Sequence, residues 1–204
     1  MSPTNLFAND EIGDIPSVGG GGSPWSPPIG MSVYNAGSGS ATNAVTTSNA
    51  LARLIPFPIY GDMTVDQMAG RFDVAGGVSE ISYWALYRAE PDKLTLAGEI
   101  GSYTPATVAT FGLTIASPID VTAGMYYVVW QNEGPTNTAA MRAHGAPLHT
   151  YMWTHDPLNL AINQSPAVDV ANARSGSVWA NELTTGFTQV QSRSMPLVLL
   201  RRSA

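Results

Sequence analysis

From Leu51 to Asn132 the chain is a succession of short β-type runs, those from Glu80 on starting about 8 to 14 residues apart, with no helix-length apolar stripe between them. That spacing leaves no room for crossover helices, so the strands must pair antiparallel. "LARLIPFPI" (51–59) is apolar, and its two prolines confine it to an edge or a sheet rim. "MTVDQMAGRFDV" (63–74) alternates over Met63 and Val65, then shifts phase around Met68, Ala69 and Gly70, the mark of a bulge. "EISYWALYR" (80–88) is apolar on both faces, as a central strand covered on both sides would be. "LTLAGEIGSY" (94–103), "TVATFGLTIA" (107–116), "SPIDVTAG" (117–124) and "MYYVVWQN" (125–132) complete the series. "SVWAN" (177–181), "GFTQVQ" (186–191) and "MPLVLLR" (195–201) read as closing strands. The last of these must return beside an early one. The expected fold is an all-β antiparallel sandwich, jelly-roll-like.

Two segments stand outside this pattern. Residues 1–44 contain an acidic cluster, the tetraglycine of "SVGGGGS" and few apolar side chains. Ordering such a segment costs about 1–2 kcal/mol per residue, more than its own burial can offset. It reads as an extended N-terminal arm that orders against a partner, with Phe7, Ile12, Ile15, Val18 and Trp25 as the anchors. The glycine run lacks the strand, helix and Gly-Lys-Ser/Thr of a phosphate loop, and reads as a linker. Residues 45–204 form the knob, interrupted at about 133–177 by an irregular loop holding the aromatic island "HTYMWTHDP". Tyr151, Met152, Trp153 and His155 there are the candidate ligand or receptor contacts, since aromatics on a long loop stack on sugars or anchor protein contacts. The alternative is that Trp153 plugs one end of the sandwich. Trp84, Trp130 and Trp179 lie in strand-like runs and are read as core.

Composition narrows the function classes. Charged residues make up 12% of the 204, about half of the usual ~25%. The neutral surface this implies suits a protein that meets other proteins over much of its area. The net charge is −6, with Lys93 the only lysine, and Arg201 and Arg202 the only adjacent cations. Nucleic-acid binding is therefore not expected. Cysteine is absent, which removes disulfides and thiolate metal sites. The opening MSPTNLFAND has no secretory n-region or h-region, and no window approaches the ~18 apolar residues of a membrane span. A cytoplasmic site of folding is the expectation.

Chemistry-bearing clusters are sparse. His144, His149 and His155, with Asp156 nearby, could ligate a metal, or ring an ion on a threefold axis. Their spacings match no ligand motif, so no metal or other cofactor is assigned. Glu80, Glu90, Glu99, Asp120 and Glu133 would supply the carboxyl pair of a glycosidase, but any five acids would permit that choice. The chain has no G-x-S-x-G elbow. No catalytic residues are assigned.

The stretch from Leu51 to Trp130 resembles a small β-sandwich module of tailed-bacteriophage tail and virion appendage proteins. The order of the motifs carries the resemblance: "RLIPFPI", then "MTVDQMAGRFDV", then the aromatic "YWALYR", then "LTLAGEIGSYT", and last "LTIASPIDVTAGMYYVVWQN". Thr-Ala-Gly before the aromatic strand is similar to the family's L-x-P-G-x-Y-W ending, although Val-Thr-Ala-Gly replaces the usual Leu-Ser-Pro-Gly. The resemblance implies a non-enzymatic, often oligomeric virion part. Joined to the arm, it makes the expected function a tail-associated fibre or receptor-binding knob, with other virion proteins as partners and a homo-oligomer, threefold by preference. Host surface polysaccharide or a protein receptor would be the external ligand. A head decoration or head-fibre protein on the capsid is the alternative, and a stand-alone carbohydrate-binding or carbohydrate-active module is the reading outside that class.

Overall fold

The structure is a computed structural model and describes residues 32–34, 41–47, 50–135, 138–145, 166–191 and 194–203. Among these residues there are strands and turns and no helix. The strands are β1 (Ser32–Tyr34), β2 (Ala41–Thr46), β3 (Leu51–Ile59), β4 (Met63–Val74), β5 (Ile81–Ala89), β6 (Leu94–Tyr103), β7 (Ala109–Val121) and β8 (Gly124–Glu133). They continue as β9 (Ala140–Gly145), β10 (Pro166–Ala171), β11 (Arg174–Ser175), β12 (Val178–Trp179), β13 (Glu182–Leu183), β14 (Phe187–Gln191), β15 (Ser194–Pro196) and β16 (Val198–Arg202).

Every pairing is antiparallel, and the order of β2 to β9 is that of a jelly roll. One sheet runs β2-β9-β4-β7 and the facing sheet runs β3-β8-β5-β6, with the chain passing between sheets at nearly every connection. The later strands enlarge this frame. β16 lies beside β4, with Val198 opposite Gly70 and Arg202 opposite Val65. β15 continues it beside β9, and β1 adds to its outer side. In the facing sheet β10 and β14 extend past β3, and β13 caps the start of β6. The C-terminal strand thus returns beside an early one, as the sequence required.

Two apolar clusters hold the sheets. The larger fills the space between them: Ile55, Phe57, Val65, Met68, Phe72, Leu86, Val128, Met141, Val198 and Leu200 surround a group of aromatic rings. Trp84 and Trp130 stack there at 5.4 Å and 5°, and Phe72, Tyr103 and Phe111 pack around them. Gly70 faces this group; a Cβ there would come within 3.0 Å of the Phe111 ring. The smaller cluster covers the outer face of the second sheet, where Ala52, Leu54, Ala85, Tyr87, Tyr127 and Val129 meet Ala173, Trp179 and Leu183. The chain from 172 to 186 lies across that face. The Tyr87 hydroxyl donates to the Ala180 carbonyl at 2.6 Å, and the Leu96 N–H donates to the Asn181 carbonyl at 2.9 Å. This second layer explains why β5 and β8 are apolar on both faces.

Several expectations change in detail. The prolines of β3 do not put the whole strand on an edge. β10 pairs only with Leu51–Leu54, so Pro56 and Pro58 fall in the half of β3 that has a neighbour on one side alone. The irregularity of β4 sits one turn of the pleat earlier than the sequence placed it. Register against β7 breaks between Val65 and Gln67, where the inward residues switch from Met63 and Val65 to Met68, Gly70 and Phe72. The two runs 107–116 and 117–124 join into the single strand β7. The stretch read as an irregular loop, 133–177, holds β9, β10 and β11, and the end of the stretch read as an arm, 1–44, holds β1 and most of β2.

Candidate functional site

The residues singled out in the arm, Phe7, Ile12, Ile15, Val18 and Trp25, lie outside the described residues, and so do Tyr151, Met152, Trp153 and His155, together with His149 and Asp156. His144 falls on β9, opposite Met195 and Ala41. Trp84 and Trp130 are in the central core and Trp179 is in the outer one.

The five acids weighed as a glycosidase pair are dispersed. Asp120 accepts from the Thr64 hydroxyl, Glu90 sits in the β5–β6 turn beside Lys93, and Glu99 is exposed on β6. Glu133 forms an ion pair with Arg174, whose guanidinium lies 3.5 Å from the centre of the Tyr83 ring on the outer face of the sheet. Glu80 points the other way and is fully buried. Glu80 and Glu133 have neighbouring backbones, Ile81 pairing opposite Glu133, but each has its own partners. Among the described residues no three His, Cys, Asp or Glu side chains gather as a metal site would require.

What the structure does assemble is one end of the jelly roll. The Glu80 carboxyl, at the entrance to β5, accepts from the Gly77 N–H at 3.2 Å, the Thr138 N–H at 2.9 Å and the Ala139 N–H at 3.0 Å. The Thr138 hydroxyl donates to it as well. The β4–β5 loop and the β8–β9 loop are thereby tied to one carboxyl group. Gly134 makes this possible, since a Cβ there would lie 2.8 Å from the Glu80 Cα. A backbone bond from the Gly76 N–H to the Pro105 carbonyl, 2.7 Å, adds the β6–β7 loop. Behind the clamp, Asn132 accepts from the Ser82 hydroxyl and from Trp130 Nε1, and donates to the Ala139 carbonyl at 3.1 Å. Three loops are therefore fixed to one another and to the core.

These fixed loops present apolar side chains to solvent. Val78 is 95% exposed, Val108 is 52% exposed and Val74 is 43% exposed. The pairing of Phe72 with Ala109 brings the end of β4 beside the start of β7, and so Val74 near Val108. The sequence carries a signal for this surface: an aliphatic residue in the glycine-rich turn "GGVSE" has no core to enter.

The opposite end holds the start of β1 and the end of β16. β1 runs antiparallel to β16, with Ser32 opposite Arg201, and the Ser203 N–H donates to the Thr64 carbonyl at 2.8 Å. Ser32 and Ser203 therefore both lie at the end where β4 begins. This end is polar. Arg201 forks onto Asp66 at 2.9 and 2.6 Å, Lys93 reaches Glu182 at 2.7 Å, and Asp62 accepts from the Ala123 N–H. The Arg201 hydrogen bond holds the Asp66 carboxyl below the usual carboxylate range. Near the other end of β4, Asp73 is lowered in the same way by Arg142 and then by Arg71, and Glu182 raises Lys93.

Compared with known protein families the chain matches none, and no curated protein matches it.

Proposed function

We propose that this chain is a structural, non-enzymatic subunit of a bacteriophage virion, a tail-associated fibre or receptor-binding knob anchored through its N-terminal arm. The observation that carries this reading is the polarity of the knob. Ser32, the first described residue, lies at one end, and the clamped loops with their exposed valines lie at the other. An anchor at one pole and a rigid contact surface at the far pole is the geometry a presented knob needs. The jelly roll supports the reading at the level of fold analogy, since capsid and lectin domains both use it. The fate of the acids supports the non-enzymatic part: Glu80 is committed to backbone N–H groups and Glu133 to Arg174.

A head decoration or head-fibre protein uses the same plan, with the arm on the capsid lattice and the loops outward. Antibody labelling of intact particles carrying the chain, imaged by electron microscopy, separates the two. Label on the tail is expected; label over the head facets would favour decoration, and particles without label would remove the virion reading. Deleting residues 1–30 is expected to leave the knob folded and to abolish its attachment to particles. Release of reducing sugar from host polysaccharide by the purified chain would overturn the non-enzymatic assignment.

A further inference from the structure

We propose that the edge of β7 is an interface between two copies of this chain, paired antiparallel about a twofold axis so that the β7-containing sheet continues from one copy into the other. The proposal rests on the edge itself and is independent of the virion reading. β7 is the longest described strand, 13 residues, and among the described residues it pairs with β4 alone. Among the described residues none hydrogen-bonds to the N–H and C=O groups of its other side, an edge that natural sheets ordinarily protect with charges, prolines, bulges or short length.

Those devices are present on the other edges. β1, β13 and β14 run two to five residues, and β2 is bulged between Ala41 and Asn43. β6 breaks register twice against β5 and carries the exposed Glu99. β7 itself is protected in its second half, where Ile115 to Pro118 bulge out of register with β4. From Ala109 to Thr114 the pairing with β4 is continuous, and the stretch has neither proline nor charge. Phe111 faces the core with Leu113 packed against it, while Thr110, Gly112 and Thr114 are exposed on the other face.

A second copy suits this edge better than the arm does. Across a twofold axis each side chain meets residues of its own strand, so a single charge would oppose its own copy; 109–114 has none. The exposed residues are small, and a Cβ on Gly112 would meet nothing within 4 Å, so a neighbouring strand can approach. The arm, with Pro3, Pro16, Pro24, Pro27 and Pro28, is a poor strand donor because each proline removes a ladder N–H.

Sedimentation equilibrium of the full chain, alone and as the double variant Thr110→Lys/Thr114→Lys, tests this. Both threonines are exposed, so the fold should tolerate the change, and the lysines would crowd like charges across the axis. The expected result is a reversible dimer for the wild type and a dissociation constant weaker by about tenfold or more for the variant, with melting temperatures that coincide when both are measured at concentrations below the dimer transition. Amide exchange gives a second readout on the unaltered chain: the 109–114 amides should become protected as concentration rises through the dimer transition. A wild type that stays monomeric, a dimer or trimer indifferent to the lysines, or 109–114 amides indifferent to concentration would each overturn the proposal.

Discussion

The Glu80 carboxyl accepts three backbone N–H groups and one hydroxyl inside the protein, so its exchange for an amide is unusually informative. Glu80→Gln keeps the shape but replaces one acceptor oxygen with a donor that faces N–H groups. Leaving a buried donor unsatisfied costs about 1–3 kcal/mol. Chemical denaturation should show a loss in that range, with amide exchange at Thr138 and Ala139 accelerating before the core amides do. An unchanged exchange rate there would mean that the loops are held by something else. In the sequence, Glu80 was one of five interchangeable acids. Its partners are contributed by residues 58 and 59 positions away, and no local spacing announces such a clamp. Trp84 and Trp130 were legible as core because each sits in an alternating apolar run. Their mutual stacking was not, since it depends on β5 and β8 being neighbours in register.

At the scale of the element, strand identity was read well, and partners were not. β3, β4 and β6 span the stretches marked out by alternation and by their bounding Gly, Pro and Asp residues. The second layer over the β3-β8-β5-β6 sheet was visible only as a puzzle, two-faced apolar strands without a stated cover. Trp179 is central to that cover: buried at 3% exposure, it meets the Tyr87 ring edge-on at 6.4 Å. Trp179→Ala should cost about 3–5 kcal/mol in equilibrium unfolding. A loss within a few tenths would mean that the 172–186 segment contributes little to the fold. Two ion pairs that join strands contribute to the acid limb of stability. Asp66 and Asp73 are both held below their ordinary value of 3.8, so the folded chain takes up their protons less readily than the unfolded one. Their contribution is complete above that value and is lost as pH falls through the lower folded values. Both carboxyls are close to solvent, so the contribution is small. Arg201→Ala should flatten the acid limb of a melting-temperature profile below pH 3.8, and an unaltered limb would exclude the Asp66 pair as its cause.

Across the whole molecule, the last strand is what closes the fold. Val198 and Leu200 are fully buried, and β16 lies between β4 and β1. Truncation after Leu197 should therefore abolish cooperative unfolding by calorimetry, even though it removes only the last few residues. Retention of a sharp transition would show that β4 and β9 can seal that gap alone. The sequence by itself determined the fold class, most strand limits, the apolar two-faced nature of β5 and β8, and the neutral character of the surface, because each of these follows from side-chain type and a period of two. Tertiary structure alone decided which strands pair, that two loops share one carboxyl group with a third tied to them by a backbone bond, that Ser32 and Ser203 lie at the pole opposite those loops, and that β7 pairs with β4 alone among the described residues. Those facts join residues far apart in the chain, and register across a sheet is set by the packing of the whole sandwich rather than by any local run.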